Sequence, residues 1–165
     1  MAEKLVPFFI ELFSGSMAKE IVVFVISMMP ILELRGGILA GYALGMNLLP
    51  SFIISFIGNM LPIPFILAAI KAVFSFMKKT PLGFIAEFFE RKALSKSEQV
   101  QRLGYLGLFL FVAIPLPGTG AWTGALVAAM LNMRLKKAFP AIVLGVVGAA
   151  AIVTFVTYGA DLLFF

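Results

Sequence analysis

Apolar residues in this chain come in long unbroken blocks, not in the one-sided patterns of a water-soluble fold. Residues 36–70 give 35 consecutive positions without a formal charge, residues 103–133 another 31, and residues 138–160 another 23. About 20 apolar residues in a helix cross a 30 Å hydrocarbon core. Ala138 to Ala160 is therefore predicted to be one full span and Ser51 to Lys71 another, with Pro140 and Pro50 at their starts. Leu103 to Leu131, at 29 residues, is too long for one simple span and too short for two. Both of its flanks are basic, Arg102 before it and Arg134-Leu135-Lys136-Lys137 after it. Because Lys and Arg near membrane ends stay on the cytoplasmic side, this chain should enter the bilayer and return on one side. Near the middle stands Ile114-Pro115-Leu116-Pro117-Gly118-Thr119-Gly120, which cannot continue an α-helix. A re-entrant hairpin with its tip at Pro115–Gly120 satisfies length, charge and breakers together.

The first half follows the same plan. Pro30 precedes Gly37 by seven residues, as Pro117 precedes Gly124. At the same offset of 87, Leu39, Leu44 and Met46 match Leu126, Leu131 and Met133. The expected fold is thus an all-α integral membrane protein with two repeats, each a re-entrant helical hairpin plus a transmembrane helix. With residues 78–102 inside, the first span runs inward and the second outward, so the repeats are inverted. Broken helices of such repeats meet near the midplane, where transporters place their substrate.

Four segments result. Residues 1–20, with Leu5, Phe8, Phe9, Leu12 and Phe13 at helical spacing, predict an interfacial amphipathic helix too short to span. Residues 21–77 form the first hairpin-plus-span repeat and residues 103–165 the second. Between them, residues 78–102 carry six bases with Glu87, Glu90 and Glu98, and an apolar face of Phe84, Ile85, Phe88 and Phe89. This segment reads as a cytoplasmic amphipathic loop lying on the inner leaflet.

Composition narrows the chemistry. The chain is 62% hydrophobic with a mean hydropathy of +1.09, too apolar for a soluble domain of 165 residues to bury. It has no Cys and no His, which removes zinc fingers, thiol catalysis, Fe–S clusters and His-based triads. No metal or cofactor is expected. The net charge of +5 sits in two clusters beside apolar runs, so nucleic acid is not an expected partner. No glycine loop with Lys marks a nucleotide site.

Ionisable residues at membrane depth usually face a cavity and have partners, which makes Glu33 and Arg35 the strongest chemical signal. Two positions apart, they point to different faces of a helix, and an extended tip beside Gly36 and Gly37 is needed to bring them to one cavity. Arg35 suits a phosphate or carboxylate, and Glu33 suits a proton-coupling role. The alternatives are a structural ion pair that locks the hairpin, or Arg35 snorkelling to the interface. At the second tip, Pro117, Gly118, Thr119 and Gly120 lead to Trp122 and Thr123, where free amides at a half-helix start attract anions. A glycine-mediated helix contact is the plainer account of that stretch. Asn59, between Gly58 and the Pro62/Pro64 pair, lies mid-span and needs partners; one of the tips is the natural candidate.

Two stretches carry a family resemblance. Met29-Pro30-Ile31-Leu32-Glu33-Leu34-Arg35-Gly36-Gly37, followed by Gly58–Pro64, is one; Phe111-Val112-Ala113-Ile114-Pro115-Leu116-Pro117-Gly118-Thr119-Gly120-Ala121-Trp122-Thr123-Gly124-Ala125-Leu126 is the other. Over nearly the whole chain they resemble the bacterial and archaeal small multidrug export protein family. More distantly, the double hairpin is similar to the DedA (VTT-domain) superfamily, implicated in flipping polyprenyl-phosphate lipids. DedA proteins usually carry further charged residues after the second tip, and this chain does not.

The expected function is a multi-pass transporter of the cell inner (plasma) membrane, not an enzyme. It would be coupled to protons, work as a homodimer, and move an amphipathic substrate or an anionic, polyprenyl-phosphate-like lipid headgroup between the tips. Export of lipophilic cations is one alternative and a non-transporting membrane scaffold another. Glu33, Arg35, Gly36 and Gly37 would form one wall, Thr119, Trp122 and Thr123 the other, with Asn59 bridging them.

Overall fold

In the computed structural model, described here for residues 16–164 without Lys96 and Pro117, the chain is all-helical. The expected amphipathic helix of residues 1–20 lies almost wholly outside the described residues, as does Pro117. Helix α1 (Ser16–Met28) meets a break at residues 29–32, and α2 (Glu33–Ala43) folds back along it. A turn at 44–47 leads into α3 (Leu48–Met60) and α4 (Ile63–Met77). Then come α5 (Gly83–Ser95), α6 (Glu98–Ala113), α7 (Ala121–Met130) and α8 (Leu135–Phe164).

Each half therefore reads helix, break, short helix, turn, long apolar helix. The long members are 48–77 (α3 with α4) and 135–159 within α8, at 30 and 25 residues, containing 18-residue stretches of mean hydropathy 2.1 and 2.4. Both are long and apolar enough to cross a membrane, and both extend beyond the bounds expected from the prolines. Pro50 falls in the first turn of α3, where its missing N–H costs nothing, whereas Pro140 lies inside α8. The Pro62/Pro64 pair interrupts the ladder between α3 and α4 at Leu61 and Pro62, whose backbone angles stay α-helical.

The repeat signalled at offset 87 recurs in local geometry. At the end of α2, Gly45 adopts φ 67° and donates to the Tyr42 carbonyl at 2.9 Å, while Met46 donates to Gly41 at 2.9 Å. At the end of α7, Asn132 adopts φ 54° and donates to Ala129 at 3.1 Å, while Met133 donates to Ala128 at 2.9 Å. Both are Schellman caps, which need a left-handed residue, and glycine and asparagine are the residue types that adopt it most cheaply. Gly45→Asn should accordingly leave stability within about 0.5 kcal/mol of wild type, checked by thermal unfolding in detergent. A fall of several degrees would show the two caps to be inequivalent.

The two turns sit at opposite ends of α8. Met46 accepts a hydrogen bond at 3.3 Å from Tyr158 near the C-terminal end, whereas residues 131–134 lead into its N-terminal end. At 1.5 Å per residue these ends are about 35 Å apart. Near the N-terminal end Lys71 bonds Asn132, and the Tyr105 hydroxyl accepts from the Arg134 amide. Helix α6 packs chiefly along α8, α1 packs on α2 and α3, and α5 lies across α7 through the buried Ala86 and Ala93. Phe84 and Phe88 on α5 remain exposed.

Candidate functional site

The site forms where the N-terminus of α2 meets the N-terminus of α7. Glu33 is the first residue of α2, with φ 50°, a left-handed conformation that is uncommon for a non-glycine residue and clusters at functional sites. This turn replaces the extended tip expected from the sequence. The helix starts at Glu33 itself, and left-handed backbone there, not an extended run, lets Glu33 and Arg35 reach the same neighbour.

That neighbour is the backbone of the second tip. Glu33, 5% exposed, accepts hydrogen bonds from the Ala121 amide at Oε2 and the Trp122 amide at Oε1, both at 3.0 Å. These are the first two N–H groups of α7, which have no partner within their own helix. Glu33 is thus a tertiary cap, set on the positive end of the helix dipole. Arg35 does the complementary work on the carbonyls. Its Nη1 donates to Leu116 O at 2.7 Å, and its Nη2 to Thr119 O at 3.2 Å and Thr119 Oγ1 at 3.0 Å. The Thr119 hydroxyl also lies 2.9 Å from Ile114 O and 2.8 Å from Leu116 O.

The alternative of a structural ion pair between Glu33 and Arg35 is not what joins the tips, since each side chain bonds backbone groups of the second tip. The carboxylate takes the spare donors of the second tip and the guanidinium takes its spare acceptors. One acid and one base thus meet backbone groups that the helix break leaves unpaired.

Gly120, at φ 133°, permits the contact, because a Cβ there would land on the Glu33 carboxylate. Gly118 also has positive φ, at 79°. In the first tip, Gly36 packs on Leu32 and Ile26, and Gly37 lies against Ser27 and Ser55. Trp122 offers its amide to Glu33, while its indole Nε1 is buried without a hydrogen-bond partner. Trp122 and Thr123 line a second cavity with Pro30, Ile31, Phe89 and Lys92, whereas the Thr119 hydroxyl bonds Arg35.

Asn59, expected to bridge the tips, lies beside both of them. It is 1% exposed and lines a small cavity with Glu33, Arg35, Gly120 and Ala149, but its Oδ1 has no hydrogen-bond partner. Two contacts were missed in the sequence because they use main-chain atoms of Leu116 and Ala121, which any residue type supplies. Also missed were Ser51 and Ser55, although their four-residue spacing with Asn59 was there to be read.

The cavity between the tips holds about 10 Å³, the lower limit for one water, so no substrate fits in this closed arrangement. Larger spaces lie on the apolar flanks. A groove of about 390 Å³ runs past Met28, Phe65, Ile70 and Val73 to Trp122. Another, of about 540 Å³, lies between the start of α3 and the end of α8.

A family model described as "Putative small multi-drug export protein" matches residues 33–152, from Glu33 through both tips and most of α8. The chain belongs to this small multi-drug export family. No curated protein and no solved structure matches it. Membership, with two apolar helices of spanning length, makes it a membrane protein. The matched segment contains every candidate site residue, including Gly36, Gly37 and Asn59.

Proposed function

We propose that this family member is a proton-coupled exporter of amphipathic small molecules, multi-pass in the plasma membrane, and that contact between its tips is the gate. The observation that carries the reading is the Glu33 carboxylate spanning two amides of the second tip. An ionised carboxylate accepts both hydrogen bonds, whereas a protonated one turns an O–H donor toward an N–H donor. Protonation thus loosens the contact, and deprotonation restores it. One titrating group then exchanges a closed state for one in which the tips part and expose polar backbone to a substrate.

The same reading makes each half a re-entrant hairpin plus a span, inverted relative to the other. Its support is the meeting of the α2 and α7 N-termini and the position of their C-terminal turns at opposite ends of α8. Single cysteines at Arg102 and Met133 are expected to react with an impermeant reagent from the same side of the membrane. Labelling from opposite sides would remove the second hairpin.

For substrate, a lipophilic cation fits the family match, the apolar groove and the face of Trp122, since aromatic faces attract cations. A second reading, a polyprenyl-phosphate-like lipid, is favoured by one observation: two helix-start amides of the kind that hold a phosphate are arranged here around a carboxylate. Proteoliposomes with an imposed pH gradient separate the two. Wild type is expected to accumulate a fluorescent lipophilic cation against its gradient, and Glu33→Gln to lose at least ten-fold of that rate. Movement of polyprenyl phosphate alone would establish the second reading. Accumulation unaffected by Glu33→Gln would overturn the coupling.

A further inference from the structure

Helices α2 and α3 meet along a seam with an antiparallel register. Glu33, Gly37 and Gly41 recur every four residues on one side, and Asn59, Ser55 and Ser51 on the other. Glu33 and Asn59 share the small cavity, a Cβ at Gly37 would strike the Ser55 and Ser27 hydroxyls, and a Cβ at Gly41 would strike that of Ser51. The two glycines remove side chains where the hydroxyls run.

Ser51 and Ser55 are 0% exposed and Asn59 1%, yet Ser51 Oγ, Ser55 Oγ and Asn59 Oδ1 make no hydrogen bond with the protein. Ser27, equally buried, does bond, to Val23 O at 2.7 Å. Buried polar groups are normally paired, and each one left unpaired is costly. Three in a row on one helix face, ending at a buried carboxylate, need a reason.

Close packing does not supply it, because the other half packs the same way without them. At the offset of 90 that relates Pro50 to Pro140, the positions of Ser51, Ser55 and Asn59 hold Ala141, Gly145 and Ala149. These too are buried, with Gly145 against Val112, and Ala149 lines the same cavity as Asn59. Small apolar residues suffice for the helix contact. At these matched positions hydroxyls and an amide occur only in the half that carries Glu33, although Thr154 on α8 is also a buried, unpaired hydroxyl.

We infer that Ser51, Ser55 and Asn59 form a proton relay linking Glu33 to the 44–47 turn, the end of the molecule marked by the Met46–Tyr158 contact. The inference rests on the proton-coupled reading of Glu33. Side chains one turn apart are separated by roughly 5–6 Å at Cβ, so each step requires one bridging water to enter the seam. Each serine and water oxygen accepts a proton from one side and releases its own to the other, while the Asn59 amide oxygen, which carries no proton, only accepts a hydrogen bond. Only O–H bonds form and break, and one proton is delivered to or taken from the Glu33 carboxylate. Asn59 Oδ1 accepts a hydrogen bond from the last water and aims it at Glu33. The 131–134 turn at the opposite end has no such path, which gives proton exchange a side.

The test compares wild type, Ser51→Ala, Ser55→Ala, the double variant, Glu33→Gln and Ser95→Ala as a control on α5. In proteoliposomes two rates are read: pH-gradient-driven accumulation of the lipophilic cation, and its exchange at equal pH, which needs no net proton transfer. The relay is expected to show as a five-fold or greater loss of driven accumulation in the double variant, with exchange, unfolding temperature and Ser95→Ala unchanged. Driven accumulation equal to wild type in the serine variants, or equal losses of both rates, would overturn the relay while a large Glu33→Gln effect left the coupling intact. Indifference of wild-type transport to pH, or of driven accumulation to Glu33→Gln, would overturn both.

Discussion

Gly120→Ala is expected to separate the two tips and to cause the largest loss of stability of any single methyl added to this chain. The new Cβ would occupy the position of the Glu33 carboxylate, and φ 133° is backbone that only glycine adopts readily. Strain of this kind costs roughly 1–3 kcal/mol, and displacing the carboxylate forfeits two charge-assisted hydrogen bonds of roughly 1.5–3 kcal/mol each. At about 2–4 °C per kcal/mol for a chain of this size, the unfolding temperature in detergent should fall by about 10 °C or more. Transport should be lost with it. Gly45→Ala is the matched control, since Gly45 also has positive φ, at 67°, but nothing lies within 4 Å of the added carbon. A loss at Gly120 no larger than that at Gly45 would mean that the carboxylate contact contributes little.

Arg35→Ala should be nearly as severe. The guanidinium is the partner of two second-tip carbonyls and one hydroxyl, and its removal takes their partner away. It also leaves Glu33 buried without a nearby cation. Breaking one side of a buried charged arrangement typically costs about 3–5 kcal/mol, again about 10 °C. Arg35→Lys keeps the charge but not the fork that reaches Leu116 and Thr119 together, so it should recover less than half of the loss. Full rescue by lysine would show that charge alone suffices.

Much of the fold could be read from residues whose backbone preferences are strong. Pro30, Pro115 and Gly118 to Gly120 mark the helix breaks, and the uncharged runs mark the long helices. The offset of 87 is repeated in the Gly45 and Asn132 caps. Glu33 and Arg35 stood out because charges are rare in apolar surroundings. The anion-attracting amides at the start of α7 could be read, but not that Glu33 would be their anion, nor that Arg35 would take the Leu116 and Thr119 carbonyls. Nor does a sequence announce that a glutamate will adopt left-handed backbone. The serine seam escaped for another reason: isolated hydroxyls pass as packing residues until the structure leaves them unpaired.

The central claim is that ionised Glu33 holds the two tips together and that its protonation releases them. Spin labels at Ile31 and Leu116, both well exposed on opposite tips, report the separation directly by electron double resonance in lipid nanodiscs. The account requires a single short distance at alkaline pH, with a longer population growing in acid and dominating in Glu33→Gln at every pH. One unchanging distance across the pH range and in the variant would contradict it.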